Sequence, residues 1–224
     1  MNIRLLCTKR KGEMLCAVVA LFMTLSSAHA QSRIGADFGL DIGTWHLDNR
    51  PLVESSSEKL DYHYSVSGAV SVDFQLHQEW LLSTGLRYSD RGTSAEATRY
   101  NAPEDRADFN LKYLEIPIYV KYEVLSTPIV IRCMLGATFG YLLSANLVIN
   151  NYSLGDILQA LKKYDASMDT GIQLGMPISR RLEITLTGLY SYGLVHLNKD
   201  LSTWVTSMSS RDGKVMAGLG WTLH

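Results

Sequence analysis

The sequence predicts an all-β protein, an eight-stranded antiparallel up-and-down transmembrane β-barrel. Long segments alternate apolar and polar residues with a period of two, which only a strand expresses. The connections between these segments are alternately short and long. Aromatic residues of the apolar face gather near the two strand ends. Most of the segments are at least as long as the roughly 9 to 11 residues that a tilted strand needs to cross a bilayer.

The clearest segment is a pair of strands at 112–122 and 129–143, joined by the break at 125–128. In the first strand Leu114, Ile116 and Ile118 alternate with Glu115 and other residues of the second face. The second strand continues the rhythm, although 128–145 is apolar enough to suggest a single membrane helix as an alternative. A strand places Arg132, Gly136 and Gly140 on one side, whereas a helix would scatter them. The hairpin is therefore the favoured interpretation.

Six further segments repeat the alternation and bring the total to eight. They are 33–45, 62–76, 80–91, 169–176, 182–192 and 215–223. In the first of them Ile34 and Phe38 alternate with Asp37 and with the glycines at 35, 39 and 43. Glycine on the inner wall of a narrow barrel makes room for longer side chains.

The connections after the second, fourth and sixth strands are short, whereas the others are long and polar. Outer-membrane barrels have short periplasmic turns and long outer loops, and a soluble β-sandwich, the other alternating fold, has no reason to show this asymmetry. The segment 92–109 has no strand pattern. In the loop 146–166, Ser153 and Asp156 resemble a helix cap and are followed by leucines at helical spacing, so we expect one short helix at 153–163, packed as a lid over the barrel mouth.

The N-terminal segment reads as a cleaved signal peptide, residues 1–30, before a barrel domain at 31–224. It combines basic residues, an apolar run and Ala28-His29-Ala30 as a cleavage site. Without it the chain has 17 basic and 21 acidic residues, a net charge of −4, so nucleic acid is not an expected partner. Cys133 is then the one remaining cysteine, which excludes an internal disulfide.

Charged residues recur on the polar face, where we expect them to fill the lumen as a network of ion pairs. The set is Arg33, Asp37, Asp41, Asp73, Arg87, Glu115, Lys121, Arg132, Asp169 and Glu183. Aromatic residues of the apolar face are expected at the two membrane interfaces. That set is Tyr64, Trp80, Tyr88, Tyr122, Tyr141, Tyr190, Tyr192 and Trp221.

The sequence favours a non-enzymatic protein with no catalytic residues, cofactor or metal. An outer-membrane lipid-modifying enzyme is the first alternative, because His46, His63 and His196 lie near the predicted loop end and could meet in space. A soluble periplasmic barrel that binds an apolar ligand is the second. It would require the protein to fractionate without detergent.

Four segments resemble the PorT-type outer-membrane barrels of Bacteroidota. They are GLRYSDRG at 85–92, YLEIP at 113–117, GATFGYLLS at 136–144 and LYSYG at 189–193. The resemblance implies an eight-stranded barrel in a Gram-negative outer membrane, inserted by the barrel-assembly machinery and surrounded by outer-membrane lipids. It also implies a structural or loop-mediated role, accessory to a type IX-like protein secretion system, with a protein partner at the long loops.

Overall fold

The computed structural model describes residues 32–48, 59–61, 63–97, 105–149, 152–156, 161–195 and 207–223. The signal peptide predicted at 1–30 lies outside these residues. Ten strands follow one another along the chain: β1 (Ser32–Asp48), β2 (Lys59–Asp61), β3 (His63–Gln75), β4 (Trp80–Ala97), β5 (Asp105–Leu125), β6 (Val130–Ile149), β7 (Tyr152–Asp156), β8 (Tyr164–Pro177), β9 (Leu182–Gly193) and β10 (Ser207–Leu223).

Eight of the strands form a closed antiparallel ring in the order β1, β3, β4, β5, β6, β8, β9, β10. The ring closes between the first and last strands, which pair from Ser32 opposite Leu223 to Asp48 opposite Ser207. Closure gives every ring strand a paired neighbour on both sides within the ring, a requirement for β-structure in hydrocarbon, where no water can bind free backbone groups. The predicted eight-stranded up-and-down barrel is confirmed.

The two faces of the wall have the polarity that a membrane barrel requires. Exposed apolar side chains such as Ile116, Leu135 and Leu186 cover the outside, whereas the inward face buries charged residues such as Arg87 and Glu115. A soluble barrel for an apolar ligand would need the opposite arrangement, and a single helix at 128–145 is excluded by strand β6. Both alternatives are therefore wrong.

Among the described residues, no helix is both long and apolar enough to span a membrane.

Three short connections lie at one end of the barrel, as the sequence predicts. They are residues 76–79, 126–129 and 178–181. The first and third are closed by backbone hydrogen bonds, from Leu76 N to Trp80 O at 2.8 Å and from Ile178 N to Leu182 O at 2.9 Å. This end is called the turn end below, and the opposite end is the outer end.

The described parts of the polar segment 92–109, residues 92–97 and 105–109, are more regular than their sequence suggests. Strand β4 continues to Ala97 and β5 begins at Asp105, and the two pair up to Ala97 opposite Asp105. Backbone pairing here needs no apolar alternation, because the register is already set by the ring below. A strand segment without a lipid-facing side does not need to alternate apolar and polar residues. The sequence pattern alone therefore predicts strand ends that come too early.

The short helix expected at 153–163 is a wrong prediction for the residues that are described. Tyr152–Asp156 is strand β7, which pairs with β6, and 161–163 is not helical. The pairing of β8 with β6 ends at Tyr141, so the rest of β6 has an open edge. That edge offers backbone partners, whereas an isolated helix of about ten residues is marginal in water. Residues 157–160 lie outside the described residues.

We expect a cation on the lipid-facing wall to destabilise the barrel according to its depth. Leu186→Arg, near the middle of β9, should lower the free energy of folding into lipid vesicles by about 2–4 kcal/mol. Tyr192→Arg, on the same face of β9 but near its outer end, should cost at most about 1 kcal/mol. Urea titration followed by the gel mobility of folded and unfolded protein measures both. Equal effects would contradict the membrane-spanning assignment of this face.

Candidate functional site: the ionic interior

The candidate site is the interior of the barrel, where the inward face of every ring strand meets. The structure places all ten charged residues expected in the lumen on this face, buried or half-buried. Their partners come from different strands, so the network depends on the closed ring. It divides into four groups. The first lies in the middle around Arg87, and the second lies toward the outer end around Arg91 and Lys214. The third lies at the turn end around Glu183, and the fourth contains Lys121.

Arg87 of β4 is at the centre of the middle group. Its Nε lies 2.6 Å from Glu115 Oε2, and both side chains are almost fully buried, 2% and 0% exposed. The guanidinium also donates to the hydroxyls of Tyr119 at 3.1 Å and Thr138 at 3.3 Å. Those hydroxyls in turn donate to Asp169 Oδ2, at 2.8 Å and 2.5 Å. Four neighbouring strands, β4, β5, β6 and β8, are thereby connected inside the wall.

Arg91 lies further along β4 toward the outer end and connects strands that are not neighbours in the ring. It forms ion pairs with Glu115 of β5, with Asp165 of β8 at 3.0 Å and with Asp212 of β10 at 3.4 Å. Its guanidinium also lies 5.3 Å from the ring centroid of Tyr113, a cation–π contact. Because β8 and β10 are each three places from β4 around the ring, this one side chain crosses the lumen.

A second side chain that reaches across the lumen lies beside Arg91, on β10. Lys214 Nζ is 3.0 Å from Asp41 Oδ2 on β1 and 3.4 Å from Ser89 Oγ on β4. Asp41 also accepts hydrogen bonds from Ser67 at 2.8 Å and Ser89 at 2.7 Å. The carboxylate is therefore paired with a cation and solvated by hydroxyls in place of water.

The turn end holds the third group, built around Glu183 of β9. Arg132 of β6 binds both of its oxygens, at 2.7 Å and 3.1 Å, and Arg33 of β1 approaches the same carboxylate at 2.8 Å. Gly175 and Gly220 make this pairing possible. A Cβ at Gly175 would overlap the Glu183 carboxylate, and one at Gly220 would overlap the Arg33 guanidinium. Inner-wall glycines therefore make room for long side chains here, the role that the sequence analysis expects for the glycines of the first strand.

The fourth group contains Lys121, which pairs with Asp73 at 3.0 and 3.2 Å. Asp37 lies nearby but receives its described hydrogen bond from Thr185, at 3.2 Å. Both Asp37 and Lys121 border an internal cavity of about 40 Å³. A cavity of this size has room for about one or two water molecules, which polar walls would bind.

Sequence patterning missed several members of the network. Arg91 is the last residue of the predicted segment 80–91, and Asp165, Asp212 and Lys214 lie just before the predicted starts of their strands. All four follow the inward parity of their strands. Reading the period to the end of the first segment, and extending the other two by their own period, would have found them. Tyr119, Thr138 and the serines carry no charge and gave no signal, because a hydroxyl on a polar face is common whether or not it bonds to anything.

The aromatic residues expected at the membrane interfaces all lie on the outward face. Trp80 stacks at a tilt on Tyr122 near the turn end, with ring centroids 4.8 Å apart. Tyr141 meets Tyr164 edge-on at 5.4 Å near the outer end, a contact that the sequence did not suggest. Tyr64, Tyr88, Tyr190, Tyr192 and Trp221 are exposed on the same face. Their role as interface anchors stays a prediction.

The histidine cluster that would favour an enzyme stays a hypothesis. His63 begins β3 opposite Gly43 of β1, and the backbone of His46 is paired with Ser209 further along β1. The side chain of His46 and all of His196 lie outside the described structure. Among the described residues, no three His, Cys, Asp or Glu side chains form a group that could hold a metal ion.

Breaking one buried pair should be costly, and removing both partners should restore part of the loss. Lys121→Met leaves the Asp73 carboxylate buried without its closest cation, so we expect a loss of about 3–5 kcal/mol in the free energy of unfolding. Adding Asp73→Asn should recover part of it, with a coupling energy of about 0.5–3 kcal/mol. Urea unfolding in lipid vesicles measures the cycle. Arg181→Met, an exposed cation in a turn, is the control and should change little; additive effects of the two interior changes would refute the pairing.

Solved outer-membrane proteins share this architecture at low sequence identity. OprG of Pseudomonas aeruginosa is 11% identical, with 87% of this chain and 96% of that chain aligned at a TM-score of 0.53. The outer membrane protease OmpT of Escherichia coli is 9% identical, with 89% of this chain and 100% of that chain aligned at a TM-score of 0.50. At these identities the likeness concerns the fold alone. No curated protein sequence matches the chain significantly.

The family model described as "Outer membrane protein beta-barrel domain" matches residues 27–198, more than half of the chain. This match agrees with the closed ring, the apolar exterior and the charged interior, and it locates the protein in the outer membrane. The chain belongs to the outer membrane protein β-barrel domain family.

Proposed function

We propose that this protein is a non-enzymatic, non-conducting outer-membrane barrel that presents a rigid β-sheet to a protein partner outside the membrane. The observation that carries the proposal is the continuation of β4, β5 and β6 beyond the closed ring. The ionic interior supports the non-conducting part, and the sequence resemblance supports the class of partner.

The extended part of β4, β5 and β6 begins where the pairing between β8 and β6 ends. On the outer side of Tyr141, β6 still pairs with β5, as far as Ile149 opposite Ala107. β4 pairs with β5 over the same height, and the short strands β2 and β7 add to β4 and β6. The 21 residues of β5 are about twice the number that a tilted strand needs to cross the bilayer. Five strands thus form a sheet standing on one side of the barrel rim.

A paired sheet suits recognition better than a flexible loop would. Its backbone is already ordered, so a partner does not have to supply the entropy cost of ordering it on binding. The outer strands β2 and β7 also have edges to which a partner segment could add as a further strand.

The interior supports a barrel that does not conduct. A solute passing along the axis would have to displace Arg91 from three carboxylates on three strands. Breaking such a buried ion pair is costly, because it leaves a charge in the interior without its partner. Eight strands also enclose an interior that side chains can fill. The charges therefore stabilise a plug rather than line an open path.

The partner class follows from the resemblance to PorT-type barrels. By that resemblance, the protein is an accessory of a type IX-like secretion system in Bacteroidota, exported with a cleaved signal peptide at 1–30 and inserted by the barrel-assembly machinery. The extended sheet is the surface that we assign to contacts with the secretion components. No described feature favours the lipid-modifying enzyme over this role.

Planar-bilayer recording tests the plug. We expect the purified protein to show no stepwise conductance, and Arg91→Ser to introduce small cation-selective steps, because Glu115, Asp165 and Asp212 would then repel one another and take up water. Arg181→Ser removes a cation from an exposed turn and should stay silent. Steady conductance by the unchanged protein would contradict the proposal.

Shortening the extended sheet tests the partner role. Replacing residues 95–107 by Asn-Gly joins Ser94 to Asp108, which already lie opposite each other, with a favourable hairpin turn. The shortened protein should keep the gel mobility of a folded barrel but lose chemical cross-links to secretion components in intact outer membranes, and with them export of secreted proteins.

The control places the same Asn-Gly pair in the turn at the other end, in place of Ser179 and Arg180. It should keep both the cross-links and export. If the shortened barrel supports normal cross-linking and export, the extended sheet is not the partner surface.

A further inference from the structure

A pocket of about 460 Å³ opens on the outward face of the barrel near its outer end. Its floor includes Phe139 of β6 and Ala166 of β8, which lie opposite each other in the sheet. Leu194 N donates to Ala166 O at 2.8 Å, so the chain leaving β9 stays against β8 and places Val195 as a wall. Lys162, Lys163 and Tyr164 complete the rim. The pocket thus combines an apolar floor with two cations.

Local backbone pairing positions the segment that carries the two lysines. Leu142 N donates to Lys163 O at 2.8 Å, which holds this short segment against β6. Within the described part of the chain, neither ammonium group forms an ion pair. Asp165 borders the same pocket, but its carboxylate binds Arg91 at 3.0 Å and the backbone N–H of Ala166 at 2.8 Å. Among the described residues the positive charge of the rim is therefore unpaired, and it is available to an anion from outside the protein.

The height of the pocket matches the membrane interface. Tyr164 is 72% exposed and lies beside Tyr141, on the face where Tyr190 and Tyr192 also project near the outer end. Amphipathic aromatic rings prefer the headgroup level, and the floor residues below them face the hydrocarbon. A volume of about 460 Å³ lies within the usual range of 300–1,000 Å³ for small-molecule sites.

From this combination we propose that the pocket binds one phosphate-bearing lipid of the outer leaflet. The phosphate lies between Lys162 and Lys163, which supply point charges and several hydrogen-bond donors, and one acyl chain lies over Phe139 and Ala166. A free anion would leave the apolar floor uncovered. A neutral apolar ligand would make no use of the two cations at the rim.

Lipid binding by the full-length protein in phosphatidylcholine nanodiscs tests the proposal. The probe is phosphorylated lipid A, compared with the same lipid after enzymatic removal of its phosphate, and native mass spectrometry counts the lipid retained. We expect one phosphorylated lipid per barrel, and at least about tenfold weaker binding of the dephosphorylated form, because removal of the phosphate removes its charge-assisted hydrogen bonds to the two lysines.

Two variants separate the charged rim from the apolar floor. Lys162→Gln with Lys163→Gln should weaken binding at least about tenfold without affecting the folded gel mobility, because both changes are at the rim. Ala166→Trp should also weaken it, by filling the floor while leaving the lysines in place. Arg180→Gln with Arg181→Gln removes the same charge from the turn end and should leave binding unchanged.

Three results would overturn the proposal: equal binding of the two lipid forms, unchanged binding by the double lysine variant, or displacement of the lipid by an equal concentration of inorganic phosphate. The last result would identify a site for free phosphate. Unchanged binding by Ala166→Trp would equally refute the placement of the acyl chain.

Discussion

Backbone hydrogen bonding in hydrocarbon is the constraint on which the rest of the structure depends. Water is absent there, so every peptide group of a membrane strand needs a partner within the protein, and a sheet meets that need only by closing on itself. The pairing of β1 with β10 provides the closure. Once the ring exists, one face of each strand must meet lipid and the other must meet the opposite wall. The apolar exterior and the crowded polar interior are both consequences of that division.

The interior charges are stabilised by one another because little else is available to them. Arg87, Arg91 and Glu115 are almost completely removed from solvent and reach carboxylates, guanidinium groups and hydroxyls on other strands. A buried ion pair is not a strong source of stability, since desolvation offsets much of the attraction, but leaving one member alone is expensive. Such a network therefore favours one strand register over its neighbours: a shift by one residue would turn charges toward the lipid.

The two ends of the barrel have different chemistry, and the difference fits their surroundings. At the turn end the strands stop within a few residues of the ring, and the connections are the minimum needed to reverse direction. At the outer end β4, β5 and β6 continue as a sheet, and β1 and β10 stay paired as far as Asp48 and Ser207. Beside the sheet, the segment just before β8 carries a pair of lysines over an apolar floor. On this side of the rim, contacts with a protein partner and with a lipid headgroup would be adjacent.

The sequence by itself determined the fold class, the eight membrane strands, their inward and outward faces, and the three short turns. It could do so because only every second residue of a membrane strand faces lipid, which requires apolar residues to recur with a period of two. It also identified most of the interior charges, since a charged side chain on the inward face of a membrane strand can only point into the lumen. Only the tertiary structure decided which charges pair, because partners such as Arg91 and Asp212 are distant in the chain and meet across the lumen. The length of the strands above the membrane could not be predicted from the sequence either. There β4, β5 and β7 are held by backbone hydrogen bonds to a neighbouring strand, and such bonds require no apolar pattern in the sequence. For the same reason a helix-like spacing after Ser153 was misleading, since the open edge of β6 offered the backbone of Tyr152–Asp156 a better set of partners.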